Sequence, residues 1–572
     1  MTHFNHEFNN ASFTGKVSFP TGLFINGEFV DGVKGTTFEV FNPTTGKVLT
    51  NVTEATAGDV DLAVKAAQKA FETTWGLNAP GALRSELMHK LASLMEKHND
   101  ELCAIEALDN GELSFLILGA KSTGMLGDAN GASETRNVDG GAVVVKTLTI
   151  FSLIADFQLL TNCTGKTFWW AKMVDVAFAT ATFKYYAGWA DKIGGQTIET
   201  DEKKLAYTRH EPIGVVGQIT PCAFFPSFSP CSQRALMDEQ GTSPLLMFAW
   251  KVGPALATGN TIVIKPSEFT PLTAIRMCSL IKEAGFPPGV INVVTGYGNT
   301  AGQAIAEHMD IQKVAFTGSV IVGRKIMAAA AATNLKNVTL ELGGKSPNII
   351  FDDADLEQAV GWAAHGVFWN HGQSCCAGSR IYVQEGIYDK FLEKFTERTK
   401  NINVGDPFEP GVMQGPQVSQ QQYDRIMAYI ESGKKDGATV HVGGNRHGKE
   451  GYFIEPTIFT DTKEDMKIVK EEIFGPVGVV IKFKDEADVL RQANDSVYGL
   501  AAAVFTQDIN RAIETAHKLQ AGTAWINCVN QLHANVPFGG YKQSGIGREL
   551  GEYALHNYTN VKAVHVNLGH RM

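Results

Sequence analysis

Two cysteines stand side by side in FWNHGQSCCAGSR (368–380), flanked by Gln373, Ser374, Ala377 and Gly378. Small neighbours let a substrate approach a sulfur. The thiolate is the nucleophile, so such a site must lower the thiol pKa or supply a base. A plainer reading is a pair of buried cysteines acting as small apolar side chains. His371 also permits a Cys–His hydrolase, although four residues along a chain do not establish pairing in space. In VTLELGGKSPNII (338–350), Glu341 ends an apolar strand and is followed by two glycines that expose backbone. A carboxylate there can act as general base toward water or a thiol, or can merely cap a turn. In IVIKPSEFTP (262–271), Lys265 and Glu268 stand just past a strand end, where a nucleotide ribose would lie in a doubly wound sheet. A carboxylate at that point accepts hydrogen bonds from both ribose hydroxyls and repels a 2′-phosphate. Alone, Lys-Pro-x-Glu is an ordinary turn with a solvated charge. FTGS places Ser319 at a helix N-terminus able to meet phosphate, whereas TGYGNTAG is a weak glycine signal and not a GxGxxG fingerprint.

The elements that must position these residues alternate from Gly214 onward. GVVGQI, TIVIKP, VINVVTGYG and KVAFTGS read as strands. Helical segments separate them: LLMFAWKVGPALATGN, one from near Pro271, a short one from Ala301 and VIVGRKIMAAAAA. Continuous apolar strands of this kind form a parallel sheet covered on both faces, with ligands at the C-terminal strand ends. Upstream, FINGEFVDG resembles a hairpin. One amphipathic helix is expected over about Val60 to Glu72 and a second carrying Leu87, Leu91, Leu94, Met95, Leu102, Ile105 and Leu108. A second α/β segment runs from about Gly343 to Gly547. EKKLAYTRHEPIG and VKAVHVNLG read as isolated strands needing partners, which suits an oligomer edge.

Composition narrows the class. A chain of 572 residues with 44% hydrophobic residues can bury a large core. The net charge of −10 argues against nucleic acid or an anionic membrane as partner. No apolar run reaches a membrane-spanning 18 residues, and the N-terminus has neither a signal-peptide nor a transit-peptide pattern. The eight cysteines show no CxxC and no zinc spacing, so no metal site is expected and a reducing, cytoplasmic setting fits best.

Taken in order, LELGGKSPNI, GQSCCAGSR, EEIFGPV and PFGGYKQSGIGRELGEYAL resemble the aldehyde dehydrogenase superfamily, closest to its NAD(P)-dependent non-acylating enzymes of aliphatic aldehydes. The resemblance covers about residues 20–111, 166–221 and 244–568. It implies an α/β chain of the aldehyde dehydrogenase fold: a doubly wound dinucleotide-binding domain (1–190 and 214–342), an α/β catalytic domain (343–547) and a small β oligomerisation element (191–213 and 548–572). Cys375, two after the Gln of the GQxC motif, would attack the aldehyde, and Cys376 is only its neighbour. The thiohemiacetal loses hydride to NAD and becomes a thioester, and Glu341 activates the water that releases the acid. A thiol suits both steps because it adds to the carbonyl and leaves readily from the acyl stage.

The resemblance also implies a cofactor set of Ile219, Pro221, Lys265, Glu268, Gly298, Gly302, Phe316, Gly318, Ser319, Glu472 and Phe474. Lys265 and Glu268 would meet the adenosine ribose, Ser319 the pyrophosphate, and Glu472 with Phe474 the nicotinamide ribose. Glu268 favours NAD without forbidding NADP. Met247, Trp250, Leu532 and Phe538 match substrate-tunnel positions. The expected partners are a small aldehyde and further copies of the chain, as homodimer or homotetramer.

Two blocks depart from the family pattern, 112–165 and 222–243. The second stands where the family has an Asn directly after the first dinucleotide-domain strand, whose amide holds the developing oxyanion. Losing one such donor costs ~10²–10³ in kcat. Activity is therefore expected to be impaired, and the alternative is an NAD-binding but inactive isoform with a structural or binding role. A hydrolase using Cys375 and Glu341 alone is a third reading. Removing 112–165 and replacing 222–243 by three residues leaves about 499 residues, an ordinary family length. Both blocks are therefore read as translated introns: Gly111-Glu112-Leu113 can be encoded as GGT GAG TTA, with a GTGAGT donor, and Cys163-Thr164-Gly165 as TGC ACA GGC, with an ACAG acceptor. The first block is expected to loop out between helices, and the second to crowd the active-site mouth.

Overall fold

The computed structural model describes residues 2–10, 12–110, 171–220, 244–409, 411–569 and 571. The expectations for blocks 112–165 and 222–243, and for Pro221, lie outside the described residues.

The first sheet has eight strands, in the order Gly545–Ile546, Asn337–Leu342, Lys313–Gly318, Val215–Ile219, Thr261–Lys265, Ile291–Val293, Leu23–Ile25 and Glu28–Val30. Its five central strands are parallel, and the chain crosses back over Val215–Ile219 to lay down Lys313–Gly318. Alternate side chains enter two different cores. Val215, Ile219, Val263, Val314, Phe316, Leu340 and Leu342 pack with the helices Ala57–Thr73, Gln303–Glu307 and Val320–Ala332. Val216, Ile262, Ile264 and Ala315 join the helices Pro244–Ala257 and Leu272–Ala284. This is the doubly wound pattern, and it leaves the C-terminal strand ends open at the crossover. FINGEFVDG is the expected hairpin; Asn26 (φ +54°) and Gly27 (φ +81°) both take the left-handed conformation of a type I′ turn.

The second sheet has seven strands: Thr439–Val442, Thr457–Thr460, Val477–Phe483, Arg380–Gln384, Pro347–Ile350, Ala501–Phe505 and Thr523–Ile526. All neighbours are parallel except the first pair. A third, antiparallel sheet orders Thr559–Asn567, Lys204–Pro212 and Thr197–Asp201.

Several local expectations need correction. The helix expected to carry Leu87 through Leu108 is two helices, Gly81–Lys97 and Asn99–Asn110. The break at His98 starts a fresh helix end, where Asp100 and Glu101 complement the dipole and His98 Nδ1 lies 2.9 Å from Glu101 Oε2. VINVVTGYG is strand only at Ile291–Val293 and continues into a wide helical turn at Gly298–Gly302. The two strands read as isolated pair with each other over nine residues, Lys204–Pro212 against Thr559–Asn567. Gly545–Ile546, near the end of the 343–547 range, pairs with the Glu341 strand of the first sheet. The N-terminal hairpin His3–Asn9/Thr14–Pro20, which sequence periodicity did not reveal, is pinned by Phe8 against Phe408, with ring centroids 6.1 Å apart.

Candidate active site

The two glycines of LELGGKS gather three groups at one point. The strand Asn337–Leu342 delivers Glu341, buried, at its C-terminal end. Just beyond, Gly344 donates its backbone N–H to Glu472 Oε1 at 2.9 Å. A Cβ on Gly343 would stand 1.9 Å from Glu472 Oε2, and one on Gly344 would stand 2.4 Å from the Cys375 carbonyl oxygen. A side chain at Gly344 would meet backbone and one at Gly343 would displace the Glu472 carboxylate, so the close approach of Cys375 and Glu472 depends on that space.

Cys375 arrives on a tight reversal. The helix Leu356–Phe368 ends in a turn where Asn370 (φ +50°), His371 (φ +57°) and Gly372 (φ +71°) are all left-handed. Each non-glycine residue held so costs about 1–2 kcal/mol, which surrounding bonds must offset. Asn370 Nδ2 donates to the Gln373 carbonyl at 2.7 Å, closing the turn. Cys376 is buried, with its Sγ 3.3 Å from Ser374 Oγ and 3.3 Å from Asn530 Oδ1. Cys375 is the partly exposed thiol of the two.

Both Glu341 carboxylate oxygens are buried and make no hydrogen bond among the described residues. Burial, and then the nearby Glu549 carboxylate, push this group well above the usual carboxylate range, while Lys251 and Arg548 act in the opposite sense. The Cys376 thiol, burial, and the Glu341 and Glu472 carboxylates push the Cys375 thiol up as well. A thiol so placed needs positive charge brought close before it ionises at neutral pH.

The expected cofactor residues line the C-terminal edge of the first sheet. Lys265 is buried, and its Nζ donates to Glu268 Oε2 (2.8 Å), the Pro266 carbonyl (2.9 Å) and the Gly296 carbonyl (2.8 Å). All three ammonium protons are thus used, and Glu268 is held in place by the buried pair. The Gly298–Gly302 turn lies beside this pair, with the position of a Gly302 Cβ 3.7 Å from Lys265 Cε. Ser319 caps the helix Val320–Ala332, its Oγ accepting from the Val322 N–H at 3.4 Å. A helix N-terminus of this kind is suited to an anion. Ile219 and Phe316 are buried in the sheet, and the Phe316 ring lies across Gly318, where a Cβ would fall 2.4 Å from ring Cζ. Glu472 and Phe474 are buried together on the loop opposite, with Phe474 left-handed at φ +57°.

Met247 and Trp250 project one turn apart from the helix Pro244–Ala257. Trp250 meets Phe538 edge-on at 5.5 Å and Phe178 edge-on at 6.0 Å. Leu532 and Cys375 border the same apolar cluster. The aromatic contacts of Trp250 therefore include Phe178, which sequence reading missed; its only signal was the aromatic density of the segment around it. Also missed was the buried ion pair of Lys251 with Glu549, whose carboxylate raises Glu341. A lone Lys in the apolar run PLLMFAWKVGPALA was a readable signal, but its partner is 298 residues away.

A family model described as the aldehyde dehydrogenase family matches residues 29–117, 155–235 and 242–564. An aldehyde dehydrogenase of Agaricus bisporus is 64% identical over 569 residues, covering 100% of this chain and 99% of its own. Aldehyde dehydrogenase 1A1 of Homo sapiens is 47% identical over 553 residues, covering 96% of each chain. The solved NAD+ complex of aldehyde dehydrogenase from Bacillus cereus superposes with a TM-score of 0.82 at 46% identity, covering 96% of this chain and 97% of that one. Among the described residues, no helix is long and apolar enough to cross a membrane. With its doubly wound sheet, its strand-end carboxylate and its family match across most of its length, the chain belongs to the aldehyde dehydrogenase family of oxidoreductases.

Proposed function

We propose that this chain oxidises a small aliphatic aldehyde to its carboxylic acid with NAD, using Cys375 as nucleophile and Glu341 as general base. One observation carries the reading: a buried carboxylate with no hydrogen-bond partner among the described residues stands within electrostatic reach of a partly exposed thiol. NAD, when bound, supplies the hydride acceptor. The residues fit it: Glu268, fixed by Lys265, accepts from the adenosine ribose; the Ser319 helix end meets the pyrophosphate; Glu472 accepts from the nicotinamide ribose. Gly298, Gly302, Gly318 and Ile219 let backbone approach, while Phe316 and Phe474 pack beside them. The Cys375 thiol, pushed up by its buried and acidic surroundings, would ionise more readily once these residues hold the positively charged oxidised cofactor.

Cys375 Sγ, as thiolate, would bond to the aldehyde carbon while the C=O π pair moves onto oxygen; that carbon then gives up its hydrogen as hydride to the bound acceptor, the C=O re-forms, and Cys375 holds the acyl group as a thioester. Glu341 takes a proton from water, the water oxygen bonds to the acyl carbon, and the C–S bond breaks to free Cys375. Trp250, Phe538, Phe178, Met247 and Leu532 wall the approach with apolar surface, which favours an alkyl over a charged substrate. Among the described residues, the antiparallel sheet ending in Thr559–Asn567 leaves that strand unpaired on its outer side, which supports assembly into a homodimer or homotetramer. Five free thiols among the described cysteines support a reducing, cytoplasmic setting.

Block 222–243 stands directly after the Val215–Ile219 strand, where the resemblance places the oxyanion Asn, and favours a second reading in which the chain as written is slow or inactive. NADH absorbance with acetaldehyde separates the two. The chain as written is compared with a form in which 112–165 is removed and 222–243 is replaced by a Trp-Asn-Phe link. The linked form is expected to turn over about 10²–10³-fold faster; equal rates would overturn the impairment. Mature transcripts encoding both blocks would defeat the intron origin. Ester hydrolysis without NADH formation would favour a hydrolase.

A further inference from the structure

One stretch of chain holds both the turn that carries the nucleophile and the loop assigned to the nicotinamide ribose. The Gly415 N–H donates to His371 Nδ1 at 3.0 Å, and the Val418 N–H donates to Gln373 Oε1 at 3.1 Å. These two bonds fix the left-handed turn that ends at Cys375. A few residues on, in the helix Gln420–Asp436, Gln422 Nε2 donates to the carbonyls of Phe474 (2.6 Å) and Ile473 (3.4 Å). Arg425 Nη2 donates to the Glu472 carbonyl at 3.0 Å. The same stretch is itself anchored: Gln414 Nε2 donates to the Ile454 carbonyl at 2.6 Å, and the Gln417 N–H to the Tyr452 carbonyl at 2.8 Å. Ser419 caps the helix that presents Gln422 and Arg425.

Turn and loop also touch directly. A Cβ on Gly372 would lie 1.9 Å from the Gly475 carbonyl oxygen, and one on Gly475 would lie 2.5 Å from Ile426 Cδ1. Turn, loop and helix therefore meet with no room for a methyl group. Both the turn and the loop contain left-handed non-glycine residues, Asn370 and His371 in one and Phe474 in the other. Such conformations persist only where neighbouring bonds over-determine them.

From this joint anchoring we propose that residues 414–426 form a clamp coupling the Cys375 turn to the Glu472–Phe474 loop, with His371 and Gln422 as positioning residues at its two ends. The proposal rests on the roles given above to Cys375 and Glu472. Neither His371 nor Gln422 acts on the substrate. Disturbing one end shifts the group held by the other, because the stretch between them is short and tied down.

The test reads each end from the far side. Gln422→Leu removes donors to the loop only. Its effect is measured as the rate of Cys375 alkylation by iodoacetamide in the full chain without NAD, with the alkylated residue identified by peptide mass. His371→Leu removes an acceptor from the turn only, and its effect is measured as the NAD dissociation constant. The clamp requires each crossed readout to worsen about tenfold. It also requires the double variant to lose less than the product of the single losses, since contacts in one network are not additive. His371→Asn, which keeps an acceptor on Cγ, is expected to restore NAD binding. Unchanged crossed readouts, or fully multiplicative losses, would overturn the clamp. Equal falls in thermal midpoint without crossed effects, and no rescue by Asn, would mark both residues as structural only and likewise overturn it. If the unaltered chain binds no NAD, the functional reading fails, whereas the clamp still stands or falls on the alkylation of Gln422→Leu.

Discussion

Gly343→Ala and Gly344→Ala add the same methyl group one residue apart, and the structure assigns them different consequences. At Gly343 the new Cβ lies 1.9 Å from Glu472 Oε2 and 2.6 Å from its Cδ. Ordinary carbon–oxygen contact is well above 3 Å, so the carboxylate must retreat by more than 1 Å. It is the end of a flexible side chain and can do so, at the loss of its bond from Gly344 N–H. A misplacement of that size in a binding group costs up to about 100-fold. The expected result is an NAD dissociation constant raised about 10- to 100-fold, with Cys375 alkylation nearly unchanged. At Gly344 the clash is 2.4 Å from a backbone carbonyl, that of Cys375, and 3.2 Å from Leu500 Cβ. Backbone cannot rotate away, so about 1–3 kcal/mol of stability is lost and the thiol itself moves. Titration of NAD by quenching of protein fluorescence, alkylation kinetics and thermal unfolding distinguish the two cases. Wild-type NAD affinity in Gly343→Ala would refute the role given to Glu472. Wild-type alkylation and stability in Gly344→Ala would refute the steric account of the nucleophile's position.

In a form that turns over, Glu341→Gln is expected to keep the first burst of NADH but slow thioester hydrolysis about 10²–10⁴-fold, read by stopped-flow absorbance. Because burial raises the Glu341 pKa, the folded chain holds a proton that the unfolded chain has released. This carboxyl's contribution to stability therefore falls as pH climbs above the ordinary glutamate value of 4.5, and Glu341→Gln should flatten that fall in thermal unfolding. Hydrolysis in the unsubstituted chain should rise with pH through the raised pKa; a flat profile counts against Glu341 as base. Lys345 Nζ is buried without a hydrogen-bond partner among the described residues, and burial, then Arg380, push it down to about 7 from 10.5. Between those values the unfolded chain binds more protons, so stability rises with pH across the window. Lys345→Met should raise the thermal midpoint most at or below pH 7 and little near 10.5; an equal gain at both would refute this. Gly318→Ala puts a methyl group 2.4 Å from the Phe316 ring and should cost about 1–3 kcal/mol in denaturant unfolding, and no loss would show that the ring can tip freely.

The doubly wound sheet was legible because it rests on local pattern. Runs such as VVGQI and TIVIK are apolar on both faces, and only a strand covered by helices on each side can use them. The hairpin at Asn26-Gly27 was legible because its turn chemistry is local too. Helix limits were less so. Periodicity carried Leu87 to Leu108 as one helix, since apolar spacing does not register a break when both halves bury the same side.

Residue identity alone determined what Cys375, Glu341, Lys265 and Glu268 are able to do: a nucleophile, a base, and a charged pair past a strand end. Their types and neighbouring motifs marked them before any fold was visible. Tertiary structure decided which sulfur is left partly exposed, because Cys376 is engaged by Asn530, 154 residues away. It decided that Glu341 lacks a hydrogen-bond partner among the described residues yet lies near Glu549 and Lys251, a balance that no spacing encodes. It also gave the glycines of LELGGKS their purpose. In sequence they read as exposed backbone at a strand end, whereas in space they make room for a carboxylate and a carbonyl from two distant segments. Burial and close approach depend on chain segments that meet only on folding, and for that reason the chemistry could be named from the sequence while its tuning could not.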